Sequence, residues 1–261
     1  DLRTGLPERA QRLQATATTP GAIYGDVYVA STRHGEAHPS APGDVRAFDV
    51  RSGELRWSFR TIPAPGDPGY ETWPENPRDT FGGANNWAGM SVDVERGIVY
   101  VPTGSAAYDF YGGDRPGANL YANSLLALDA VTGTLKWHYQ LVHHDLWDRD
   151  LPAPPNLFTF THDGEEIPAV AQITKSAHVF VFNRETGEPL HSIEERPFPA
   201  SDLPGEYTHP TQPIPVRPPP FSRQAFTESD VTDISEASHA AVLDRFKRAR
   251  SGGQFVPPSA E

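Results

Sequence analysis

Short apolar runs, each ending in a cluster of turn-forming residues, recur along the chain. Ile23 to Ala30, Met90 to Val94, Ile98 to Pro102 and Val170 to Thr174 are rich in β-branched and aromatic side chains and read as strands, with Gly97 in the turn between the second and third. One segment alone has helical spacing. From Ser235 to Arg250 the residues Ala240, Val242, Leu243 and Phe246 fall on one face, and Ser235 is placed to cap the first turn. The basic run Arg245 to Arg250 then suits the negative end of the helix dipole and reads as a solvated helix end, not a nucleic-acid patch. The expected class is all-β with one short C-terminal helix.

A weak repeat organises the strands. Ala47-Phe48-Asp49-Val50-Arg51-Ser52-Gly53-Glu54-Leu55-Arg56-Trp57 reads strand, tight turn, strand, and Leu126 to Trp137 restates it as Leu-Ala-Leu-Asp-Ala-Val-Thr-Gly-Thr-Leu-Lys-Trp. Val181 to Leu190 is a degenerate third copy, and Asp1 to Leu6 reads as the close of an earlier one. The Asp or Asn accepts turn hydrogen bonds, the Gly takes a positive φ, and the Trp is free to wedge between neighbouring sheets. Repeats of this kind suggest propeller blades. Asp49 and Asp129 are 80 residues apart, long for one blade, so the excess lies in loops. Residues 61–86, rich in Pro, Gly and Asn, read as a long functional loop, and the Pro-rich stretch 194–224 as a surface wrap.

Composition narrows the chemistry. The 27 prolines and 22 glycines among 261 residues suit many turns. A net charge of -12 argues against nucleic acid and anionic membrane surfaces, and it is compatible with clustered metal-binding carboxylates or with plain solubility. With no cysteine there is no disulfide, zinc-thiolate site or thiol catalysis. No apolar run reaches the length of a membrane-spanning helix, and no signal peptide is visible. The start at Asp1, the single Met90 and a final stretch that reads as the approach to a further strand suggest a portion of a longer protein. Nucleotide-binding glycine motifs are absent, which leaves nicotinamide, flavin and ATP readings without support.

The segment His143-His144-Asp145-Leu146-Trp147-Asp148-Arg149-Asp150, followed by Leu-Pro-Ala-Pro-Pro, resembles the active-site stretch of pyrroloquinoline quinone (PQQ) dehydrogenases, in the branch that oxidises glucose and quinate. The alternative reading of the same residues is a solvated acidic loop beside a core Trp. The resemblance implies an eight-bladed β-propeller for the whole family, of which residues 1–261 are one partial propeller domain, about half, with blades missing at both ends. It implies that Asp148 is the catalytic base and lies near the metal, a carboxylate being suited to take a hydroxyl proton as hydride leaves the same carbon. Asn85-Asn86-Trp87-Ala88-Gly89 is similar to the cofactor-stacking motif, which makes Trp87 the flat wall beneath the quinone. Thr174-Lys175 matches the basic position that contacts the quinone oxygens, so Lys175 is the expected cofactor cation. Val101-Pro102-Thr103-Gly104-Ser105 has Ser105 where alcohol-oxidising relatives carry a metal-ligating amide, and a hydroxyl is the poorer calcium ligand. Gly35-Glu36 resembles a Gly-x-Glu region that supplies a metal carboxylate, against the alternative of an exposed loop acid.

Asp150 sits where lanthanide-using relatives add a ligand. The implied metal set is therefore Glu36, Ser105, Asp148 and Asp150, with calcium leading and a lanthanide or magnesium as alternatives. The paired His143 and His144 lack a third zinc-spaced ligand and read as scaffold. The resemblance further implies a sugar or alcohol substrate, a membrane quinone or cytochrome as electron acceptor, and a periplasmic location. Two alternatives stay open: a non-catalytic propeller serving as a binding or assembly scaffold, and an inactive fragment with unclosed sheet edges.

Overall fold

A computed structural model describes residues 1–259. Each repeat copy builds the same turn. Asp49 accepts the backbone N–H groups of Arg51 and Ser52 at 2.9 and 2.8 Å, Asp129 those of Val131 and Thr132 at 3.0 Å each, and Asn183 those of Glu185 and Thr186 at 2.9 and 3.3 Å. Four residues after the acid or amide, Gly53, Gly133 and Gly187 close the turn at φ of 72°, 74° and 78°, a region that L side chains enter at a cost.

These turns sit inside antiparallel meanders. Strands β1 (Ala22–Tyr24), β2 (Val27–Ala30), β3 (Val45–Asp49) and β4 (Leu55–Phe59) pair in sequence order as one sheet. The short β5 (Gly82–Gly83) pairs with β8 (Ala106–Ala107). Strands β6 (Ser91–Asp93), β7 (Ile98–Pro102), β9 (Ser124–Asp129) and β10 (Leu135–Gln140) make the second four-stranded sheet. The third sheet is β11 (Asn156–His162), β12 (Glu165–Ile173) and β13 (Val179–Asn183), and β14 (Ile193–Pro197) pairs with β15 (Thr211–Pro215). The three large sheets are consecutive propeller blades, and among the described residues no sheet closes on itself.

The middle blade explains its own sequence. From β7 and β9, Val99, Val101, Leu126 and Leu128 face the first blade, where they meet Val27, Val29, Val45 and Trp57. The alternate residues Ile98, Tyr100, Leu125 and Ala127 face the third blade and meet Val170, Phe180 and Phe182. A strand buried on both faces has no polar alternation, which is why β9 reads as one apolar run.

The repeat tryptophans join one blade to the next. Trp57 of the first copy donates its indole N–H to the Ala130 carbonyl at 3.2 Å and lies so close over Gly133 that a Cβ there would be 2.5 Å from the ring. Trp137 repeats the contact one blade on, donating to the Arg184 carbonyl at 3.1 Å above Gly187. The residue before each Trp lies at a register shift and reaches back to the turn acid, as Arg56 to Asp49 and Lys136 to Asp129.

Three local expectations are corrected. Ile23 to Ala30 is a hairpin, not one strand, because Gly25 at φ 58° turns the chain between β1 and β2. The Pro-rich stretch 194–224 holds the β14–β15 hairpin, whose prolines are tolerated in a two-stranded sheet with no neighbour on either side. The helix α1 (Glu236–Arg248) begins at the expected Ser235 cap, which accepts the Ser238 N–H at 3.1 Å, but ends at Arg248 and buries no residue. Its Phe246 meets the Phe226 ring at 5.5 Å. Residues 61–86 form the expected long loop as far as β5, which interrupts it at Gly82–Gly83; the loop is shaped by short 3-10 turns at Tyr70–Thr72 and Pro77–Asp79 and tied to the first blade by the paired contacts of Arg78 with Asp44 at 2.8 and 2.7 Å.

Candidate active site

The loop between β10 and β11 is built around Asp145. This carboxylate is buried and accepts four donors: the Ser105 hydroxyl, the Asn123 amide at 2.8 Å, the Trp147 N–H at 2.9 Å and the Arg149 N–H at 2.6 Å. The last two bonds coil residues 145–149 around the carboxylate and hold Asp148 at φ 55°. A β-carbon residue in that region stores of order 1 kcal/mol of strain, which the surrounding bonds over-determine. Trp147 points away from the cleft, donating to the Val256 carbonyl at 2.8 Å and meeting Phe255 edge-on at 5.2 Å.

The two histidines brace the loop from behind. His144 is fully buried, bonds through Nδ1 to the Gly117 carbonyl at 2.8 Å and stacks on Tyr207 at 4.4 Å. Burial, and then the nearby Arg115 charge, pull its pKa down to about 4, so it is neutral. His143 is clamped through its backbone by Gln212, which accepts its N–H at 2.8 Å and donates to its carbonyl at 2.7 Å.

On the cleft side, Lys175 follows the end of β12 and donates to Asp148 Oδ1 at 2.7 Å and to Asp150 Oδ2 at 2.9 Å. Asp150 also accepts the Trp87 indole N–H at 3.0 Å and the Ser105 backbone N–H at 2.6 Å. Burial works against this carboxylate, but the Lys175 charge and these donors outweigh it and hold the pKa below the ordinary range. Asp148 goes the other way. Burial and then the neighbouring Asp150 raise it to about 6, against the pull of Lys175. The ammonium also lies 5.8 Å from the centre of the Trp87 ring, a cation–π distance.

Two neighbours of Trp87 explain why it is fixed. Asn86 donates to the carbonyls of Gly89 and Pro102 at 2.7 and 2.6 Å, and Asn85 donates to the Thr32 carbonyl at 2.9 Å. Gly104 leaves room for both partners, since a Cβ there would lie 2.5 Å from Asp150 Oδ1 and 3.4 Å from the Trp87 nitrogen.

The result is a cleft of about 280 Å³ whose walls include Trp87, Lys175, Asp148, Asp150, Ser105 and Glu36. Trp87, Lys175, Asp148 and Asp150 form one contacting group. Ser105 reaches it through its amide, while its hydroxyl is committed to Asp145. Glu36 lines the same cleft, but its carboxylate pairs with Arg33 at 2.9 Å and is largely exposed. Sequence reasoning missed Asp109, which lines the cleft, and Asp145, Asn123 and Arg115, which hold its loops. Fully buried Arg115 donates to the carbonyls of Tyr108 and Asp145 at 3.2 and 2.6 Å, tying the two cleft loops together.

A half-buried flat indole beside a cation, with a glycine where a side chain would intrude, fits a planar anionic cofactor. The metal donors are less assembled. Lys175 occupies both Asp148 and Asp150, and among the described residues no group of three His, Asp or Glu side chains is gathered to hold a cation.

A blade array with this cleft is the pattern of one protein family. The family described as PQQ: glucose/ethanol/alcohol dehydrogenase, β-propeller domain, matches residues 1–261, and the chain belongs to it. The chain is 37% identical over 267 residues to the quinate/shikimate dehydrogenase (quinone) of Acinetobacter baylyi, covering 100% of this chain and 32% of that one. It is 37% identical over 230 residues to the quinoprotein glucose dehydrogenase of Escherichia coli, covering 84% and 27% respectively. The chain thus spans about a third of the length of these relatives. Among solved structures, the quinohemoprotein alcohol dehydrogenase of Comamonas testosteroni superposes with a TM-score of 0.62 at 24% identity, over 79% of this chain and 32% of that one, which shows the fold. A europium-containing methanol dehydrogenase does so at 0.60 and 21% identity, over 77% and 37%. Among the described residues no helix is long and apolar enough to cross a membrane.

Proposed function

We propose that the protein to which this partial propeller domain belongs is a periplasmic quinoprotein dehydrogenase that oxidises a hydroxyl of a sugar or alcohol. The observation that carries the reading is the single contacting group of Trp87, Lys175, Asp148 and Asp150 in one cleft. When bound, PQQ supplies the two-electron oxidant and a metal ion the Lewis acid.

The chain's own residues do the rest. Trp87 offers the stacking wall, and its N–H bond to Asp150 keeps the ring from turning. Lys175 has three N–H donors, of which two go to Asp148 and Asp150, leaving one for a quinone oxygen. Asp148 takes the hydroxyl proton of the substrate, and its raised pKa of about 6 makes its carboxylate a stronger base than a surface aspartate while still ionised at neutral pH. Asp145 and the histidines hold that carboxylate in place.

For the metal we keep calcium, with magnesium or a lanthanide as alternatives, and Glu36, Ser105, Asp148 and Asp150 as its ligands. As they stand these four are not a cage, since Glu36 pairs with Arg33, the Ser105 hydroxyl with Asp145, and Asp148 and Asp150 with Lys175. Electrons leave to a membrane quinone or a cytochrome.

The test is reconstitution of the full-length protein with PQQ and calcium, followed by dye-linked assays on glucose, quinate and simple alcohols. Asp148→Asn should retain PQQ binding and lose about 10²–10⁴ in kcat, the usual weight of a positioned base. A full-length protein that binds no PQQ would sink the enzyme reading in favour of a scaffold.

A further inference from the structure

One acidic side chain in the cleft has no part in the mechanism above. Asp109, two residues beyond β8, is only 5% exposed and lines the cleft with Trp87, Asp148 and Asp150. Its acidic neighbours are all provided for. Asp148 and Asp150 have Lys175, Asp145 has its four donors, and Glu36 has Arg33. Among the described residues the Asp109 carboxyl forms no hydrogen bond or ion pair; burial and the charges of Asp150, Asp148, Glu36 and Asp145 act against its charged form, and the buried Arg115 guanidinium acts on it only through space. Buried polar groups in folded proteins are almost always partnered, and one that is not, and that faces a cleft, marks where an incoming group supplies the bond.

The position of Asp109 is also held. Arg115 ties the carbonyl of the preceding residue, Tyr108, to the carbonyl of Asp145, while its other arm donates to the Asn119 side chain at 2.7 Å. The spacing between Asp109 and the Asp148 loop is therefore set by a buried guanidinium and not by a free surface loop. A monohydric alcohol has one hydroxyl, and Asp148 takes it. A second hydroxyl on the same substrate would find Asp109.

We propose that Asp109 is a specificity-determining residue, which binds a second hydroxyl of a polyhydroxylated substrate whose reacting hydroxyl is held by Asp148. The role rests on the dehydrogenase reading above and adds the substrate determinant to it. A carboxyl facing the cleft accepts the hydrogen bond that a second substrate hydroxyl donates.

The test uses the full-length holoenzyme with glycerol and glucose against 1-propanol, in wild type, Asp109→Asn and Asp109→Leu. In Asp109→Leu the ratio of kcat/KM for glycerol to that for 1-propanol should fall by about tenfold or more, the weight of one lost substrate hydrogen bond, with the loss in KM. Asp109→Asn, which keeps a donor and an acceptor, should recover most of the ratio. Equal losses on both substrates, or a ratio within about threefold of wild type, overturn the proposal.

Saturation-transfer NMR with glycerol as the probe gives a readout that needs no turnover. Transfer lost in Asp109→Leu, with the melting temperature retained, supports the role. Equal transfer in both proteins, or none in wild type, overturns it. A wild type that oxidises nothing yet binds glycerol through Asp109 would defeat the dehydrogenase reading and leave the recognition role standing.

Discussion

The blade junctions and the cleft spend polar groups in opposite ways. At each junction a tryptophan buries its rings over a glycine turn, and its lone N–H finds a carbonyl of the next blade. In the cleft, four aspartates stand within mutual electrostatic reach, one is held at a positive φ and one has no partner. The junctions lower the free energy of the fold. The cleft raises it, and the strain and crowding persist because buried groups such as Asp145 and Arg115 over-determine the loops. The contrast teaches that stability and chemistry are separable here, and substitutions should be able to remove either one with the other largely intact.

The largest effect on folding is expected at a junction. Trp137 is buried against Tyr100 and Phe182 and donates to Arg184, so Trp137→Ala should cost about 3–5 kcal/mol in urea unfolding. Trp87→Ala should cost distinctly less, because that ring is only half-buried, and should instead weaken PQQ binding. Equal stability losses at the two tryptophans would erase the distinction.

The turns allow a cleaner separation. Gly53, Gly133 and Gly187 share nearly the same φ, so an Ala at each pays the same backbone strain. A Cβ at Gly133 or Gly187 also strikes an indole at 2.5 or 2.7 Å, whereas at Gly53 it meets nothing within 4 Å. Gly53→Ala should cost about 1 kcal/mol, and the other two about 2–4 kcal/mol, because the overpacked ring must move. Denaturation midpoints of the three variants isolate the docking contact from the strain.

The same difference governs what was legible beforehand. The junctions are periodic, so Asp49, Gly53 and Trp57 could be read from their echo at Asp129, Gly133 and Trp137. Trp87, Lys175, Asp148 and Asp150 were found through resemblance, and they do meet in one cleft. Their supports were not found. Asp145 was quoted as part of a motif, but nothing local says that Ser105 and Asn123, from two other segments, converge on it. Arg115 and Asp109 lie in an aperiodic loop where a polar residue between aromatics was the only signal. The hairpin at Gly25 was hidden by an apolar run that continues across it, and β14 and β15 by their prolines.

A smaller effect should appear with pH. His144 is buried and neutral, with a folded pKa of about 4 against an ordinary value of 6.5. The folded state therefore binds fewer protons than the unfolded chain in this window. The contribution is present above pH 6.5 and is lost as pH falls from 6.5 towards 4, at about 1.4 kcal/mol per unit. Between pH 7.5 and 5, wild type should lose about 2 kcal/mol more than His144→Leu, measured by urea unfolding. Parallel losses in the two proteins would mean that Arg115 and burial do not hold the imidazole neutral.

A modest effect on folding, joined to a marked one on the site, is expected at Gly104. Its φ lies outside the left-handed region, so an Ala carries no strain of the kind met at the turns. What the added carbon meets is the Asp150 carboxylate at 2.5 Å, with the Trp87 nitrogen behind it at 3.4 Å. Asp150 can yield only by leaving the Ser105 N–H, the Trp87 N–H or Lys175, and each departure moves a member of the cleft group. Gly104→Ala should therefore cost less than about 1.5 kcal/mol in unfolding. Turnover of the holoenzyme should fall by roughly 10- to 100-fold, the penalty for displacing positioned groups by a fraction of an ångström to an ångström. If turnover survives intact, the close packing of Asp150 against residue 104 is not what holds the cleft in register, and the separation of fold from site would have to rest on Asp145 alone.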